Sequence, residues 1–376
     1  MAIRTLYVCL DMCQNPQKTR QQPYLPDFAQ TLITWQRQHG RHGLPWQDTR
    51  DAYPIWLSEI MLQQTQVTTV IPYYQRFLER FPTVADLADA GIDEVLHYWS
   101  GLGYYSRARN LHKCAQIIIS EYRGFFPTKQ EILETLPGIG RSTAAAIAVF
   151  AAGEKAAIMD GNVVRVLSRI FALTDTIADS AGKKRLWNLT ESLLPDAGIE
   201  SYTQGLMDLG ATICTRSSPR CPLCPFTDIC RAKKENRIAE LPLKKAKKSL
   251  PVRETIMPVI LSGDHILLEK RPEKGIWGGL YALPECPVIP GKAVEASVMQ
   301  YMEGLGPILA FAPLNPFTHT FTHFRLNITP CLVKTRKPSK IAENQIWRRQ
   351  DDALALGLPT PVRKLIEAIG KPYCLL

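Results

Sequence analysis

The chain has 376 residues, more than the roughly 250–300 at which one hydrophobic core stops growing, so at least two domains are expected. It is 45% hydrophobic and 21% charged, with no secretory leader and no stretch of the about 20 apolar residues that spans a bilayer, so we expect a cytoplasmic protein with no membrane partner. A net charge of +10 indicates a polyanionic partner such as nucleic acid.

Residues 24–230 are predicted to form an all-α domain. Apolar residues recur at helical spacing from Ile55 to Ile71 and from Val163 to Ile170, and short connectors with Pro and Gly separate these segments. Few strand-like alternations precede residue 250. Residues 1–23 match no sequence motif and are expected to form an N-terminal extension. A disordered tail is one interpretation of this segment.

Glu59 is the first candidate for chemistry. On a helical wheel it falls between Ile55, Trp56 and Leu62, on an apolar face. Burial of a carboxyl group disfavours its charged form and raises its pKa, which suits a general acid at neutral pH. The alternative is a glutamate at the edge of an amphipathic helix, and Glu59 taken alone favours that alternative.

A glycine-hinged loop follows at residues 101–110, with the sequence Gly-Leu-Gly-Tyr-Tyr-Ser-Arg-Ala-Arg-Asn. Paired aromatic residues and arginines after a hinge suit insertion into a duplex with anchoring on phosphates. Two core tyrosines at the start of a solvated helix explain the same residues equally well.

The segment Leu-Pro-Gly-Ile-Gly-Arg-Ser at residues 136–142 lies between predicted helices at 131–136 and 143–150. The turn formed by Gly138 and Gly140 presents free backbone amides at the positive end of a helix, which is a phosphate site that needs no side chain. This pattern is typical of a helix–hairpin–helix DNA-binding motif. An ordinary interhelical turn is the alternative, although the preceding Leu-Pro and the following small residues favour the motif.

Asp160 precedes the apolar-striped helix that runs to Phe171. A helix N-cap or an Asp-Gly turn explains this aspartate by itself. A buried acid such as Glu59 and a carboxylate at a helix N-terminus are together what cleavage through an oxocarbenium-like transition state requires.

Four of the ten cysteines, at positions 214, 221, 224 and 230, lie within seventeen residues. Without export they are expected to be thiols or metal ligands rather than disulfides. Four thiolates in one loop suit a [4Fe–4S] cluster or structural zinc. Structural zinc more often uses two Cys-x2-Cys pairs and this loop has one, so the spacing favours iron–sulfur while leaving zinc open.

Residues 231–251 are predicted to be a basic, solvated linker, since they carry eight basic and two acidic residues. Residues 252–376 are predicted to form an α+β domain. Its strands are expected at 255–261, 265–268, 317–326 and 329–333, and a helix is expected at 362–369.

In this order the motifs resemble the adenine DNA glycosylases of MutY type, within the endonuclease III-like helix–hairpin–helix superfamily. The resemblance runs from about residue 24 to the C-terminus and includes Leu44-Pro45-Trp46, the segment 58–67 and Asp160-Gly161-Asn162-Val163. It implies an all-α helix–hairpin–helix glycosylase domain with a [4Fe–4S] cluster on Cys214, Cys221, Cys224 and Cys230, followed by an α+β Nudix-like domain.

The resemblance also implies roles for individual residues. Glu59 corresponds to the acid that protonates the extruded adenine, and Asp160 to the carboxylate that stabilises or captures the sugar cation. Ser142 and Asn162 correspond to groups that support these two residues. The residues that correspond to contacts with DNA or the base are Gln64, Tyr104, Gly138, Gly140, Gln204, Phe321, Thr322 and His323.

Two positions refine the implied activity. Bifunctional relatives carry a lysine where this chain has Ser142, because a Schiff base needs an amine, so we expect base excision without strand cleavage. In the family a Phe-Ser-His segment grips 8-oxoguanine, and this chain has Phe321-Thr322-His323 there. Only Glu295 and Glu303 stand where a Nudix hydrolase needs clustered glutamates for Mg²⁺, so pyrophosphatase activity is not expected.

The predicted function is hydrolytic removal of adenine mispaired with 8-oxoguanine or guanine from double-stranded DNA by a monomeric, DNA-associated enzyme. One alternative is a pyrimidine-specific glycosylase/lyase of endonuclease III type, which Ser142 and the second domain disfavour. The other is a non-catalytic iron–sulfur DNA-binding protein, which Glu59 and Asp160 disfavour.

Overall fold

The computed structural model describes residues 28–174, 179–243, 249–336 and 341–369. The N-terminal extension and Lys244, Lys245, Lys247 and Lys248 of the linker lie outside the described residues. None of the helices in the described ranges is long and apolar enough to cross a membrane.

The N-terminal part is helical, as predicted. Its α-helices are α1 (Phe28–His39), α2 (Ala52–Leu62), α3 (Val67–Arg80), α4 (Val84–Asp89), α5 (Ile92–Trp99), α6 (Ser106–Tyr122), α7 (Gln130–Leu133), α8 (Arg141–Ala152), α9 (Gly161–Ile170), α10 (Ser180–Ser192), α11 (Ile199–Asp208) and α12 (Arg231–Lys234). A π-helical turn at Leu209–Ile213 continues α11 towards the first cysteine of the loop.

Helix α2 lies in the centre of this domain. Most of its residues are buried, as expected for a helix that is apolar on nearly all sides. Asp51 caps its N-terminus by accepting a hydrogen bond from Tyr53 N at 2.9 Å, and Tyr53 Oη donates to Phe81 O at 2.7 Å. A turn at residues 63–66 separates α2 from α3, so the apolar stripe from Ile55 to Ile71 belongs to two helices.

The C-terminal part is an α+β unit built around one sheet. The strands β1 (Val252–Ser262) and β6 (Arg325–Lys334) pair in parallel along their whole length, and the remaining pairings are antiparallel. The other strands and helices are β2 (His265–Lys270), β3 (Tyr281–Ala282), β4 (Ala310–Pro313), β5 (Phe317–Thr320), β7 (Gln345–Arg349), α13 (Val294–Met302), α14 (Gln350–Leu354) and α15 (Thr360–Ile369).

Three predictions of local structure were wrong. The predicted strand 317–326 is a hairpin, because β5 ends at Thr320 and Phe321 N donates to Phe324 O at 2.9 Å to close a turn before β6. The predicted helix 131–136 shortens to the four residues of α7. The linker is not wholly solvated, because Leu241 is 2% exposed and its carbonyl accepts a hydrogen bond from Arg169.

The two parts pack directly on each other. Buried side chains from both parts, including Leu96 and Leu280, belong to one continuous hydrophobic cluster. Polar contacts cross the same boundary: Lys270 Nζ lies 2.8 Å from both carboxylate oxygens of Asp93, and Ser100 Oγ donates to Leu358 O at 2.8 Å. The contacts between the parts therefore hold the tip of the 101–110 loop near the β5–β6 hairpin.

Candidate active site

A cavity of about 410 Å³ opens beside α2 and α11. Two polar side chains with predicted roles, Glu59 and Gln204, line it together with apolar residues such as Trp46, Leu62 and Phe150. The other three residues predicted to be catalytic, Asp160, Ser142 and Asn162, are not among the described residues that line its wall. The cavity is large enough to hold a purine base.

Glu59 lies on the cavity wall and keeps part of its surface towards the open space. Burial raises the pKa of its carboxyl group from 4.5 to about 7, and the charge of Asp160 adds to the increase. The raised pKa favours the protonated carboxyl group near neutral pH, as a general acid requires.

Asp160 caps the N-terminus of α9. Its Oδ1 accepts hydrogen bonds from Asn162 N at 3.0 Å and Val163 N at 2.8 Å, and its Oδ2 accepts one from Asn162 Nδ2 at 3.0 Å. Burial raises the pKa of Asp160, while these hydrogen bonds and the charge of Arg165 act in the opposite direction. The helix-cap interpretation and the catalytic interpretation of Asp160 are therefore compatible, because the capping hydrogen bonds fix the carboxylate at the N-terminus of α9.

Ser142 connects the hairpin to Asp160. Its Oγ accepts a hydrogen bond at 2.9 Å from the backbone N–H of Met159, the residue before Asp160. Ser142 lies in the first turn of α8, directly after the hairpin, so one hydroxyl group ties the start of this helix to the segment that carries the carboxylate.

The hairpin has the features expected of a phosphate site. Gly138 has a φ of +80°, and an added Cβ would lie 2.9 Å from Asn110 Cβ, so a larger residue does not fit there. Gly140 is the N-cap of α8 and makes no side-chain capping hydrogen bond. The first amides of α8 have no partner within the helix and are available to an anion.

Arg165, which the sequence analysis did not single out, links Asn162 to the start of the cysteine loop. It donates to Asn162 Oδ1 at 2.8 Å, to Gly210 O at 2.7 Å and to Cys214 O at 2.7 Å. Its spacing of three residues from Asn162 on α9 was the available signal, because residues i and i+3 share a helix face.

The four cysteines surround one small cavity whose other walls include Val166, Ile170, Leu209 and Ile213. Arg169 lies against it, with Nη1 3.4 Å from Cys214 Sγ. Among the described residues, no three or more His, Cys, Asp or Glu side chains are grouped closely enough to hold a metal ion as they stand. Four thiols around an apolar cavity, with a guanidinium beside them, nevertheless fit a cluster bound by thiolates.

Gln64 and Tyr104 lie at the tips of two exposed turns. Both have left-handed backbone conformations, with φ of 59° and 49°, and both side chains are exposed. Arg107 holds these turns together by donating to the carbonyl groups of Ile60, Met61 and Gln63 on one side and of Leu102 and Gly103 on the other, at 2.7–3.3 Å.

The arginines of the 101–110 loop bind carbonyl groups of the protein. Burial lowers the pKa of Arg107 to about 10, and its guanidinium group binds protein carbonyls. Arg109 donates to Gly278 O in the second domain. The two tyrosines also differ, since Tyr105 is buried and Tyr104 is 44% exposed.

The predicted lesion-reading residues form the turn between β5 and β6. Phe321 stacks on Phe324 with ring centroids 4.5 Å apart and also contacts Trp277 and His319. Thr322 and His323 are exposed at the tip. Thr322 Oγ1 lies 3.1 Å from the hydroxyl oxygen of Tyr104, so the structure brings together candidate DNA contacts from both domains.

Family models match both parts of the chain. A model described as the HhH-GPD superfamily of base excision DNA repair proteins matches residues 57–192. A NUDIX domain model matches residues 256–368. The two matches correspond to the helical part and to the α+β part.

Similar proteins extend over nearly the whole chain. An adenine DNA glycosylase of Buchnera aphidicola subsp. Acyrthosiphon pisum is 38% identical over 347 residues, which is 92% of this chain and 98% of the relative. A human adenine DNA glycosylase is 34% identical over 90% of this chain and 73% of its own length. Among solved structures, a thermostable thymine-DNA glycosylase is 31% identical with a TM-score of 0.50, covering 55% of this chain and 95% of that one.

Proposed function

The chain belongs to the adenine DNA glycosylases, and from this premise we propose that it excises adenine paired with 8-oxoguanine or guanine, by hydrolysis and without cutting the strand. The observation that carries the proposal is Glu59, a carboxyl group with a pKa of about 7 on the wall of a base-sized cavity. Extrusion of the base costs a few kcal/mol, and less at a mismatch.

Glu59 acts as the general acid. Its proton passes to the imidazole-ring portion of the extruded adenine, so that the base leaves as a neutral group when the N-glycosidic bond breaks. A neighbouring carboxylate and a desolvated site keep the proton on Glu59 until then.

Asp160 acts on the sugar. Positive charge develops on C1′ as the base leaves, and an ionised Asp160 stabilises it before water attacks. The three hydrogen bonds from Asn162 and Val163 hold the carboxylate in place, and Ser142 holds the residue before it. Asn162 and Ser142 are accordingly positioning residues.

Ser142 also underlies the proposed absence of lyase activity. Its hydroxyl group cannot form the Schiff base through which a bifunctional glycosylase cuts the strand. Strong β-elimination by the purified protein on a duplex with an abasic site would contradict this part of the proposal.

We propose that Cys214, Cys221, Cys224 and Cys230 hold a [4Fe–4S] cluster. The four thiols around one apolar cavity and the guanidinium of Arg169 support it, and the bound cluster would cross-link the loop that follows α11. Metal analysis with a visible spectrum separates this proposal from zinc, since a zinc site is colourless.

The second domain is proposed to read the partner base. Phe321, Thr322 and His323 lie at the tip of the hairpin that faces Tyr104, while Gln64 lies on the adjoining turn held by Arg107. Tyr104 and Gln64 would enter the duplex beside the mispair, and the amides after Gly138 and Gly140 would bind a phosphate. A monomeric state and a cytoplasmic, DNA-associated location stay predictions.

The test measures single-turnover excision of adenine opposite 8-oxoguanine, guanine or thymine in otherwise identical duplexes. We expect the order 8-oxoguanine, guanine, thymine, and a loss of roughly 10²–10⁴-fold in Glu59→Gln. Equal rates opposite all three bases, or activity that survives Glu59→Gln, would refute the proposal.

A further inference from the structure

A buried carboxylate that the mechanism does not use lies behind Gln204. Asp208 is 0% exposed, one helical turn after Gln204 on α11. Its Oδ1 accepts hydrogen bonds from Arg41 Nε at 2.7 Å and Gln204 Nε2 at 2.8 Å, and its Oδ2 accepts one from Arg41 N at 2.8 Å. A buried carboxylate with a guanidinium and two further donors is a fixed acceptor.

The carboxylate decides which way the Gln204 amide points. The oxygen and nitrogen of a glutamine amide are nearly the same size, so hydrogen-bond partners settle its orientation. A carboxylate only accepts hydrogen bonds, so the NH₂ group must face Asp208. Among the described residues no donor contacts Gln204 Oε1, and Gln204 lines the cavity.

An acceptor fixed in this way distinguishes purines by the group at C6. Adenine carries an amino group there, which donates to Oε1. The oxygen of a glutamine amide also accepts a hydrogen bond from this amino group where glutamine reads adenine in the major groove of DNA. Hypoxanthine carries a carbonyl oxygen at C6, which would face Oε1 without a proton between the two oxygens.

We propose that Asp208, held by Arg41, is a positioning residue that locks the Gln204 amide so that the cavity accepts a 6-amino purine and rejects a 6-oxo purine. The proposal rests on the role proposed above for Gln204. It adds the residue that fixes the orientation of the Gln204 amide. Without this hydrogen bond the amide could rotate and bind either base.

The test compares single-turnover excision of adenine and hypoxanthine opposite the same partner base by the full-length protein. In Asp208→Asn the amide at position 208 can donate as well as accept, so Gln204 is free to turn over. We expect the adenine-to-hypoxanthine rate ratio to fall by roughly tenfold, within the cost of leaving a buried polar group without its hydrogen bond.

Glu94→Gln is the control. It makes a carboxylate-to-amide change in the same domain, on α5, and removes an ion pair with Arg80, but Glu94 neither lines the cavity nor contacts Gln204. The ratio should be unchanged in this variant. Thermal unfolding of each protein shows whether a change in rate accompanies a change in fold.

Two further measurements test the proposal if Asp208→Asn does not fold. Arg41→Leu combined with Asp208→Leu replaces the buried ion pair by apolar residues, a change that proteins often tolerate, and should lower the ratio in the same way. In the wild-type protein, purine, which has no group at C6, should be excised faster than hypoxanthine.

Three results would overturn the proposal. They are an unchanged ratio in a folded variant, a folded variant that excises neither base, and excision of hypoxanthine as fast as purine by the wild type. Excision of adenine by the wild type is a separate result. Its absence would refute the proposed function itself rather than the role of Asp208.

Discussion

At the residue scale, the environment of a side chain decides between a structural and a chemical role. Glu59 and Arg107 both carry charge into a partly buried place, yet Glu59 has no hydrogen-bond partner among the described residues whereas Arg107 donates to several carbonyl groups. The unsatisfied acid keeps its proton and can transfer it. The guanidinium group instead fixes the end of the helix that carries Glu59, through the hydrogen bonds of its two terminal nitrogens.

The pH dependence of excision should follow the two carboxyl groups. In the proposed mechanism Glu59 acts when protonated, and its pKa is raised to about 7, so the rate should fall about tenfold per pH unit above that value. Asp160 acts when ionised and burial raises its pKa, so the acid limb should lie above the usual range of an aspartate. Single-turnover rates between pH 5 and 9 check this, and a flat profile above pH 7 would contradict the role of Glu59.

At the element scale, the approach of the π-helical turn to α9 connects the cysteine loop to Asp160, the candidate catalytic carboxylate. A Cβ added to Gly210 would lie 2.5 Å from Asn162 Cβ and 3.0 Å from Asn162 Cα, so only glycine allows this approach. The contact lets the Gly210 carbonyl reach Arg165, which in turn holds Asn162. The amide of Asn162 then orients Asp160.

Gly210→Ala should therefore impair both stability and catalysis. The overlap must push the two elements apart, which is expected to lower the free energy of unfolding by about 1–3 kcal/mol and to displace Asn162. We expect the excision rate to fall by roughly tenfold or more, because the loss of one catalytic hydrogen bond lowers a rate by at least this factor.

Gly161→Ala provides the comparison for stability. Gly161 also adjoins Asn162, but nothing lies within 4 Å of an added Cβ, so this change should be neutral or stabilising. Equal unfolding midpoints for Gly210→Ala and Gly161→Ala would contradict the packing argument.

At the scale of the whole molecule, the net charge is distributed unevenly between the two domains. Residues 1–230 hold 22 basic and 22 acidic residues, so the net charge of +10 comes from the linker and the second domain. With no net charge, the helical domain is proposed to bind DNA through placed groups such as the hairpin amides. The basic excess can attract any duplex, since Coulomb attraction does not depend on sequence.

Neutralising Lys244, Lys245, Lys247 and Lys248 should weaken binding to all duplexes alike. Each lost phosphate contact reduces the salt slope by about 0.9, whereas the preference for the mispair should be unchanged because no base contact is altered. Affinity titrations at several salt concentrations, with matched and mispaired duplexes, measure both. A lost mispair preference would mean that these residues do more than attract the duplex.

The sequence alone determined the order and chemistry of the parts: a helical domain, a cysteine loop, a basic linker and an α+β domain, with Glu59 and Asp160 as candidate catalytic residues. These features depend on periodicity, spacing and residue type, which are local properties of the chain. The family models match residues 57–192 in the helical domain and residues 256–368 in the α+β domain.

Only the tertiary structure decided which distant groups meet. The pairing of Asp208 with Arg41, the link from Arg165 to the cysteine loop, the inward turn of Arg107 and the contact between Tyr104 and Thr322 join residues far apart in sequence. The hairpin at Phe321 also escaped sequence reasoning, since alternation continues through a turn as readily as through a strand. Such contacts arise when the domains pack, and no local pattern encodes which partner each side chain will find.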